Sequence, residues 1–430
     1  MKRVAVIGGG WAGCAAALSL AREGIQVTLY EAGNTLGGRA RAVEMNGLVL
    51  DNGQHILLGA YTQTLELIAS VTPQTSHTHP EMASLLRSRL VLDQPPAFKL
   101  ECPNLPAPFH LLAGLLNAHG LGWMDKLAAI RWANQTIRNG EQTDTSVANL
   151  IADQPERVRK ALWQPLCISA LNTRPEQASA ETFKYVLKTA FGKSRCHSDL
   201  LFPRIDLSSL FPQPATRRMI EQGGNVRLRT RVREVRCYAD SVTVDTQHDS
   251  SRYDSLIFAV APSHLGQLCT TIPELSGIVE HIKTYDYEAI ATGYLQYPEN
   301  INLPRPMLAL NGEPAQFAFD RGQTHGQAGL IAIVVSAASR LLGKTQSSWL
   351  LQAEQQLTRI AALPPPLWRK TIVEKQATYT CRPNMYRPDN GTPHPRLFIA
   401  GDYTTGFYPA TLESATMSGV KSAHALLNIL

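Results

Sequence analysis

Three glycines at residues 8, 10 and 13, followed by an acid at residue 31, are the spacing in this chain with the clearest chemical content. In Gly8-x-Gly10-x-x-Gly13 the first glycine permits a tight turn, the second lets a phosphate approach the backbone, and the third allows a helix to pack closely. Trp11 and Ala12 would then begin a helix whose free N–H groups and dipole face a pyrophosphate. Glu31, with Ala32 beside it, lies 18 residues beyond Gly13, where a carboxylate can accept hydrogen bonds from an adenosine ribose. Gly37-Gly38-Arg39 follows soon after the acid, and Arg39 could lie against the pyrophosphate. Near the other end, in Gly401-Asp402-Tyr403-Thr404, Asp402 could bind a ribityl hydroxyl or only cap a turn. The helix start at Ala410 and Thr411 would face a flavin ring. The two ends together favour FAD over NAD.

These groups need elements to carry them. Val4 to Ile7 is a short apolar run broken by the glycines, Ala12 to Leu20 reads as a small-residue helix ending at Gly24, and Ile25 to Tyr30 is a second run. That is the strand, turn, helix and strand of a parallel βαβ unit. Leu256 to Ala261, ended by Pro262, and Leu397 to Ala400 read as further buried parallel strands, the latter leading to a helix from about Leu412 to Ile429. Between them, residues 61 to about 215 show helical stretches such as Gln63 to Ser70, Lys126 to Ile137 and Glu181 to Ala190. From Gly223-Gly224, Val226, Leu228 and Val232 alternate with Arg227, Arg229, Arg231 and Arg233, a strand with a solvated arginine face. The fold class expected is α/β. A nucleotide-binding Rossmann-like domain is assembled from residues 1–60, 215–265 and 395–430, and a mixed α+β substrate domain from 61–214 and 266–394.

Composition bounds the alternatives. The chain has 430 residues, 44% of them hydrophobic, with 41 Lys and Arg against 35 Asp and Glu, which excludes a disordered or collagenous polymer and one small module. A formal charge of +6 is too weak to imply nucleic acid, though it allows contact with an anionic membrane surface. The seven cysteines are scattered without a CxxC pair, so neither structural zinc nor any other metal site is expected, and a reducing, cytoplasmic compartment is. Strand-like sequence starting at Val4 leaves no room for a signal peptide, and the longest apolar run, Gly329 to Ser339, is too short to span a bilayer.

The fingerprint, the Gly-Gly-Arg element, the central Gly-Gly and strand, and the Gly-Asp-Tyr-Thr segment together resemble the flavin amine oxidase and carotene desaturase superfamily along essentially the whole chain. Asp51-Asn52-Gly53-Gln54-His55-Ile56-Leu57-Leu58-Gly59-Ala60-Tyr61 is similar to the flavin-contacting segment of phytoene and zeta-carotene desaturases. The match extends to the bacterial hydroxysqualene dehydroxylase family of hopanoid biosynthesis through Trp163 to Cys167, Ala170 to Thr173, Asp199 to Arg204 and Phe407 to Ala415. The resemblance implies an FAD enzyme that reduces hydroxysqualene, a polyisoprenoid alcohol, to squalene. It also implies that Asn52, Gly53, Gln54 and His55 contact the flavin and that Val232 meets the adenine through its backbone. A lipid substrate would bring the protein to the inner face of the membrane as a peripheral contact, and Leu105 to Trp132 could be an amphipathic lip there or buried helical core.

On the substrate side each candidate has two readings. His55 could touch the flavin, donate a proton, or satisfy loop backbone groups. Tyr403 and Tyr408 are further candidates for the acid that dehydroxylation needs. Asn172 and Thr173 could face substrate or make a turn before Arg174-Pro175. Arg204, set among apolar residues, could contact substrate or pair with a carboxylate, and Phe407 could contact substrate. No motif identifies the electron donor. A desaturase running the opposite electron flow fits Asp51 to Tyr61 equally well, and a non-catalytic prenyl-lipid binder shares the architecture.

Overall fold

The computed structural model describes residues 2–45, 47–72, 84–138, 143–341, 343 and 346–430. The apolar runs near both ends become the inner strands of one parallel sheet. Its order is Asn225–Arg227, Gln26–Tyr30, Arg3–Ile7, Ser255–Phe258 and Leu397–Ile399, and every neighbouring pair is parallel. Strands in such a sheet are covered on both faces, which is why Val4 to Ile7 and Leu256 to Phe258 are apolar without alternation and fully buried. The helix Trp11–Arg22 uses its alanines to pack against the C-terminal helix Leu412–Leu427. At Gly419 the approach is so close that a Cβ would stand 2.2 Å from the Ala12 carbonyl oxygen.

The middle of the chain supplies helices, among them Thr62–Val71, Phe109–Leu116, Trp123–Arg138, Gln164–Leu171 and Ala180–Phe191. It also supplies an antiparallel sheet, ordered Met307–Ala309, Phe317–Asp320, Leu330–Val335, Tyr287–Gln296 and Trp368–Tyr379. The apolar run from Gly329 is the centre of this sheet, with Leu330–Val335 wholly buried. A smaller antiparallel sheet joins Leu57–Leu58, Leu200–Pro203 and Leu85–Ser88. The fold is therefore α/β, with a parallel Rossmann-like sheet whose strands come from three separated stretches of chain, and antiparallel sheets beside it.

The arginine row differs from the expected single strand. Asn225–Arg227 ends at Arg227, the chain bends through Arg229 at φ 52°, and a new antiparallel strand runs over Val232–Cys237. The bend arises because Arg229 and Thr230 donate their N–H groups to the carbonyls of Gly33 and Glu31, wrapping the chain around the end of the second parallel strand. Arg227 stacks on the Tyr30 ring and pairs with Asp249 at 2.8 Å.

Residues 105–132 divide between the two expectations. Leu115 and Leu121 are buried, whereas Leu105, Phe109, Leu112, Trp123 and Met124 are exposed, Met124 to 75%. No helix among the described residues is long and apolar enough to cross a membrane.

Candidate active site

The glycine turn, the C-terminal helix start and the antiparallel sheet enclose one cavity of about 740 Å³. At its nucleotide end, Gly8 has φ 111°, and a Cβ would meet the Ala259 carbonyl oxygen at 2.3 Å. A Cβ on Gly13 would meet the Gly8 oxygen at 1.9 Å, so Gly13 serves helix packing and does not line the cavity. Gly10 is different: its nearest neighbour to a Cβ is the Gly38 Cα at 3.9 Å, which leaves that face open to the cavity. Gly10 caps the helix without a side chain, so the first helical N–H groups have no side-chain acceptor. Glu31 accepts the Gly9 N–H at 2.7 Å and the Gly33 N–H at 2.6 Å while lining the cavity with Trp11, Ala12, Ala32 and Val232. The open glycine face, the uncapped helix end and the acid fit the pyrophosphate and ribose of a dinucleotide.

Farther in, Arg39 meets Asp402 at 2.7 Å and also donates to the Ala377 carbonyl. Burial works against the Arg39 charge, but Asp402 and then Glu374 hold its pKa above the ordinary arginine value. Asn52 donates to the Arg39 carbonyl and to Glu374, both at 3.0 Å. Gly38, Gly53, Gln54, His55, Gly401, Ala410 and Thr411 complete the wall, and Thr411 caps the C-terminal helix by accepting the Ser414 N–H. His55 Nδ1 lies 2.9 Å from the Gly53 carbonyl, and burial lowers its pKa, so the ring is held neutral.

The substrate-side candidates separate. Tyr408 lines the cavity, donates to the Ala60 carbonyl at 3.3 Å and meets Tyr61 and Tyr185 edge-on. Tyr403 is fully buried outside the lining, its hydroxyl without a hydrogen-bond partner. Asn172 lines the cavity, but its amide donates to Thr378 and accepts from the Ala337 N–H, clamping a helix end to the antiparallel sheet. Thr173 is buried behind it, accepting the Cys381 N–H. Phe407 is 53% exposed and stacks on Tyr185, away from the lining. Arg204 is exposed and outside the lining, and it has no carboxylate partner among the described residues. The pairing considered for Arg204 is absent because its side chain reaches solvent rather than the apolar neighbours around it in sequence.

Several functional neighbours carried no sequence signal. Arg321, wholly buried, donates to Asp51 at 3.1 Å and to Gln54 at 2.9 Å, and His325 Nε2 stands 3.6 Å from the same Asp51 carboxylate. Despite burial, His325 and Arg321 hold Asp51 below the usual carboxylate range. Tyr294 donates to the Asp51 carbonyl, so the start of the Asp51 to Tyr61 segment is fixed from behind. Thr230 and Arg231 join Val232 at the nucleotide end, and Met307, Phe317, Phe319 and Val334 extend the cavity as an apolar pocket. The contacts of Arg321 and Tyr294 with the Asp51–Gln54 segment span 243 to 270 residues, and no local motif announces them.

The chain matches the family described as flavin containing amine oxidoreductase over residues 11–427. It is 26% identical to the hydroxysqualene dehydroxylase of Zymomonas mobilis over 98% of both chains. It is 21% identical to the 15-cis-phytoene desaturase of Synechococcus elongatus over 99% of this chain and 96% of that one. Its fold is similar to cyclohexylamine oxidase from Brevibacterium oxydans, with a TM-score of 0.69, 18% identity and 99% of each chain covered. With a family model spanning nearly its whole length and a dinucleotide cradle that fits, the chain belongs to the flavin-containing amine oxidoreductases, a family that implies FAD.

Proposed function

We propose that the protein uses FAD to reduce hydroxysqualene to squalene with loss of water. The observation that carries this reading is the continuity of one cavity from the dinucleotide cradle to an apolar pocket walled by Leu90, Leu92, Met307, Phe317, Phe319 and Val334. Full-length similarity to a protein named hydroxysqualene dehydroxylase supports the substrate class. Reduced and bound, the flavin would supply hydride at the end of the cavity marked by Asp402 and Thr411. The chain's own contribution is to hold the long apolar substrate, exclude water and position the hydroxyl that leaves. That hydroxyl is allylic, so its protonation and departure as water would give a delocalised cation that accepts the hydride, while an apolar wall protects it from recapture by water. His55 and Tyr408 line the cavity and are the side chains proposed to face the reacting end; Tyr403 would act only from behind the wall.

The same reading divides the chain into a nucleotide domain of residues 1–60, 215–265 and 395–430 and a substrate domain of 61–214 and 266–394. It also gives the exposed Phe109, Leu112, Trp123 and Met124 a use as a peripheral contact with the inner face of the cytoplasmic membrane, where the substrate dissolves. The second reading, a desaturase removing hydride from a polyprene, draws on the Asp51 to Tyr61 segment and on similarity to a phytoene desaturase.

One experiment separates them. The holoprotein, its flavin reduced chemically under anaerobic conditions, is mixed with hydroxysqualene while flavin reoxidation and squalene are followed. Stoichiometric squalene is expected. If the flavin stays reduced and the oxidised protein instead bleaches with a polyprene, the desaturase reading replaces it.

A further inference from the structure

Ser198 is a polar point on an apolar wall. It ends the short 3-10 helix Arg195–Ser198, two residues before the strand Leu200–Pro203 that pairs with Leu57–Leu58. Leu58, Ala60, Ser198 and Leu200 all line the cavity. The Ala60 carbonyl accepts the Tyr408 hydroxyl at 3.3 Å while its N–H donates to the His197 carbonyl, so the segment that carries Ser198 adjoins the wall at Tyr408.

The surroundings hold Ser198 in place. The Gly59 N–H donates to Asp199 and the Ala60 N–H to His197. A Cβ on Gly59 would stand 1.7 Å from the Cys196 carbonyl oxygen, so the two segments touch backbone to backbone. Asp199, 1% exposed, is pinned by Arg195 at 2.9 Å and Arg87 at 3.1 Å. Behind the serine, His110 is 1% exposed on the helix Phe109–Leu116, with Nε2 3.1 Å from the Ser198 oxygen. Ser198 donates its own proton to the Arg195 carbonyl at 2.8 Å. With that proton given to the Arg195 carbonyl, His110 Nε2 is the donor to Ser198 and Nδ1 keeps a lone pair, with no hydrogen-bond partner among the described residues. A buried imidazole with one nitrogen unsatisfied costs stability that an apolar side chain at residue 110 would not. Ser198, a residue of the cavity wall, keeps one acceptor lone pair beyond these two bonds.

We propose that Ser198, oriented by His110, is the subsite that holds the hydroxyl of an alcohol substrate, set between the apolar Leu58, Ala60 and Leu200 of the cavity wall. Ser198 is the binding residue and His110 the positioning residue. The proposal rests on the dehydroxylase reading, because a hydrocarbon substrate would leave both groups without a use.

Binding tests it apart from turnover. Oxidised holoprotein is titrated with hydroxysqualene and with squalene in the same detergent, reading the shift of the flavin visible band. The wild type is expected to bind the alcohol about tenfold more tightly than the hydrocarbon, the worth of one hydrogen bond. Ser198→Ala should lose that preference with squalene affinity unchanged, Ser198→Thr should keep it, and His110→Leu should weaken it. If Ser198→Ala does not retain flavin, the comparison of His110→Leu with wild type decides the matter by the same preference. A Ser198→Ala or, in its place, His110→Leu protein that still prefers the alcohol tenfold overturns the subsite and leaves the dehydroxylase reading standing. A wild type that binds both ligands alike and bleaches with a polyprene overturns both.

Discussion

Arg39 and Asp402 meet at 2.7 Å although 363 residues separate them in sequence. Their side chains are unequally shielded, Arg39 being 33% exposed and Asp402 only 7%, so the carboxylate depends more on the pair than the guanidinium does. Replacing one partner of a buried ion pair strands the other charge at a cost of about 3–5 kcal/mol, and partial exposure of Arg39 places this case at or below the lower figure. Arg39→Met is expected to lower the urea midpoint and to lose FAD on ultrafiltration, whereas Arg39→Lys should recover part of both. Unchanged flavin retention in Arg39→Met would remove Arg39 from the cofactor site. At this scale the sequence was legible where backbone geometry restricts the residue type: Gly8, Gly10, Gly13 and Glu31 follow from what a turn, a phosphate and a ribose require. It was not legible at Arg321, His110 or Ser198, because a buried polar side chain is defined by partners that only the fold brings to it.

Segments built on one period were read well, and those where the period breaks were not. The continuous apolar runs Val4 to Ile7 and Leu256 to Phe258 became central parallel strands, and the three helices cited from the middle region appear with ends shifted by only a few residues. The arginine row failed because alternation survives across a bend, and hydrogen bonds to the Glu31 and Gly33 carbonyls lie outside the row itself. The segment Asp51 to Tyr61 was recognised by resemblance, yet its anchor on the antiparallel sheet was not. Arg321 follows the strand Phe317–Asp320 directly and ties that sheet to Asp51 and Gln54. Arg321→Met should leave Asp51 buried without its counter-charge, at about 3–5 kcal/mol. The expected result is a lower melting temperature together with a shifted flavin visible band, since Asn52 to His55 lose their support. A melting temperature lowered with the band unchanged would show that the network stabilises the sheet without positioning the flavin-facing segment.

For the whole molecule, the discontinuous assembly encloses three histidines, two of them, His55 and His325, near the Asp51 carboxylate, and their titration should govern how the protein responds to mild acid. His55, His110 and His325 are each held below the ordinary value of 6.5, by burial first. Among the charges near them, Arg39, Arg195 and Arg321 respectively push the same way, while Asp51 or Asp199 oppose. A depressed folded-state pKa means that the unfolded chain binds more protons below pH 6.5. The stability is therefore fully present above that pH and falls as pH drops toward the folded values, by about 1.4 kcal/mol per unit for each group. Glu413 acts in the other direction: burial raises its pKa from 4.5, so its contribution is greatest at low pH and is lost as pH rises through the folded value. Three groups share the first sign, and the unfolding free energy should drop as pH falls from about 7.5 to 5.5. Urea unfolding at constant free FAD measures it, because bound ligand itself stabilises the folded state. His110→Leu and His325→Gln should each flatten the slope. A profile that is level from pH 7.5 to 5.5 would mean that these rings are not held neutral by the fold, and that the burial of His110 behind Ser198 does not constrain its protonation.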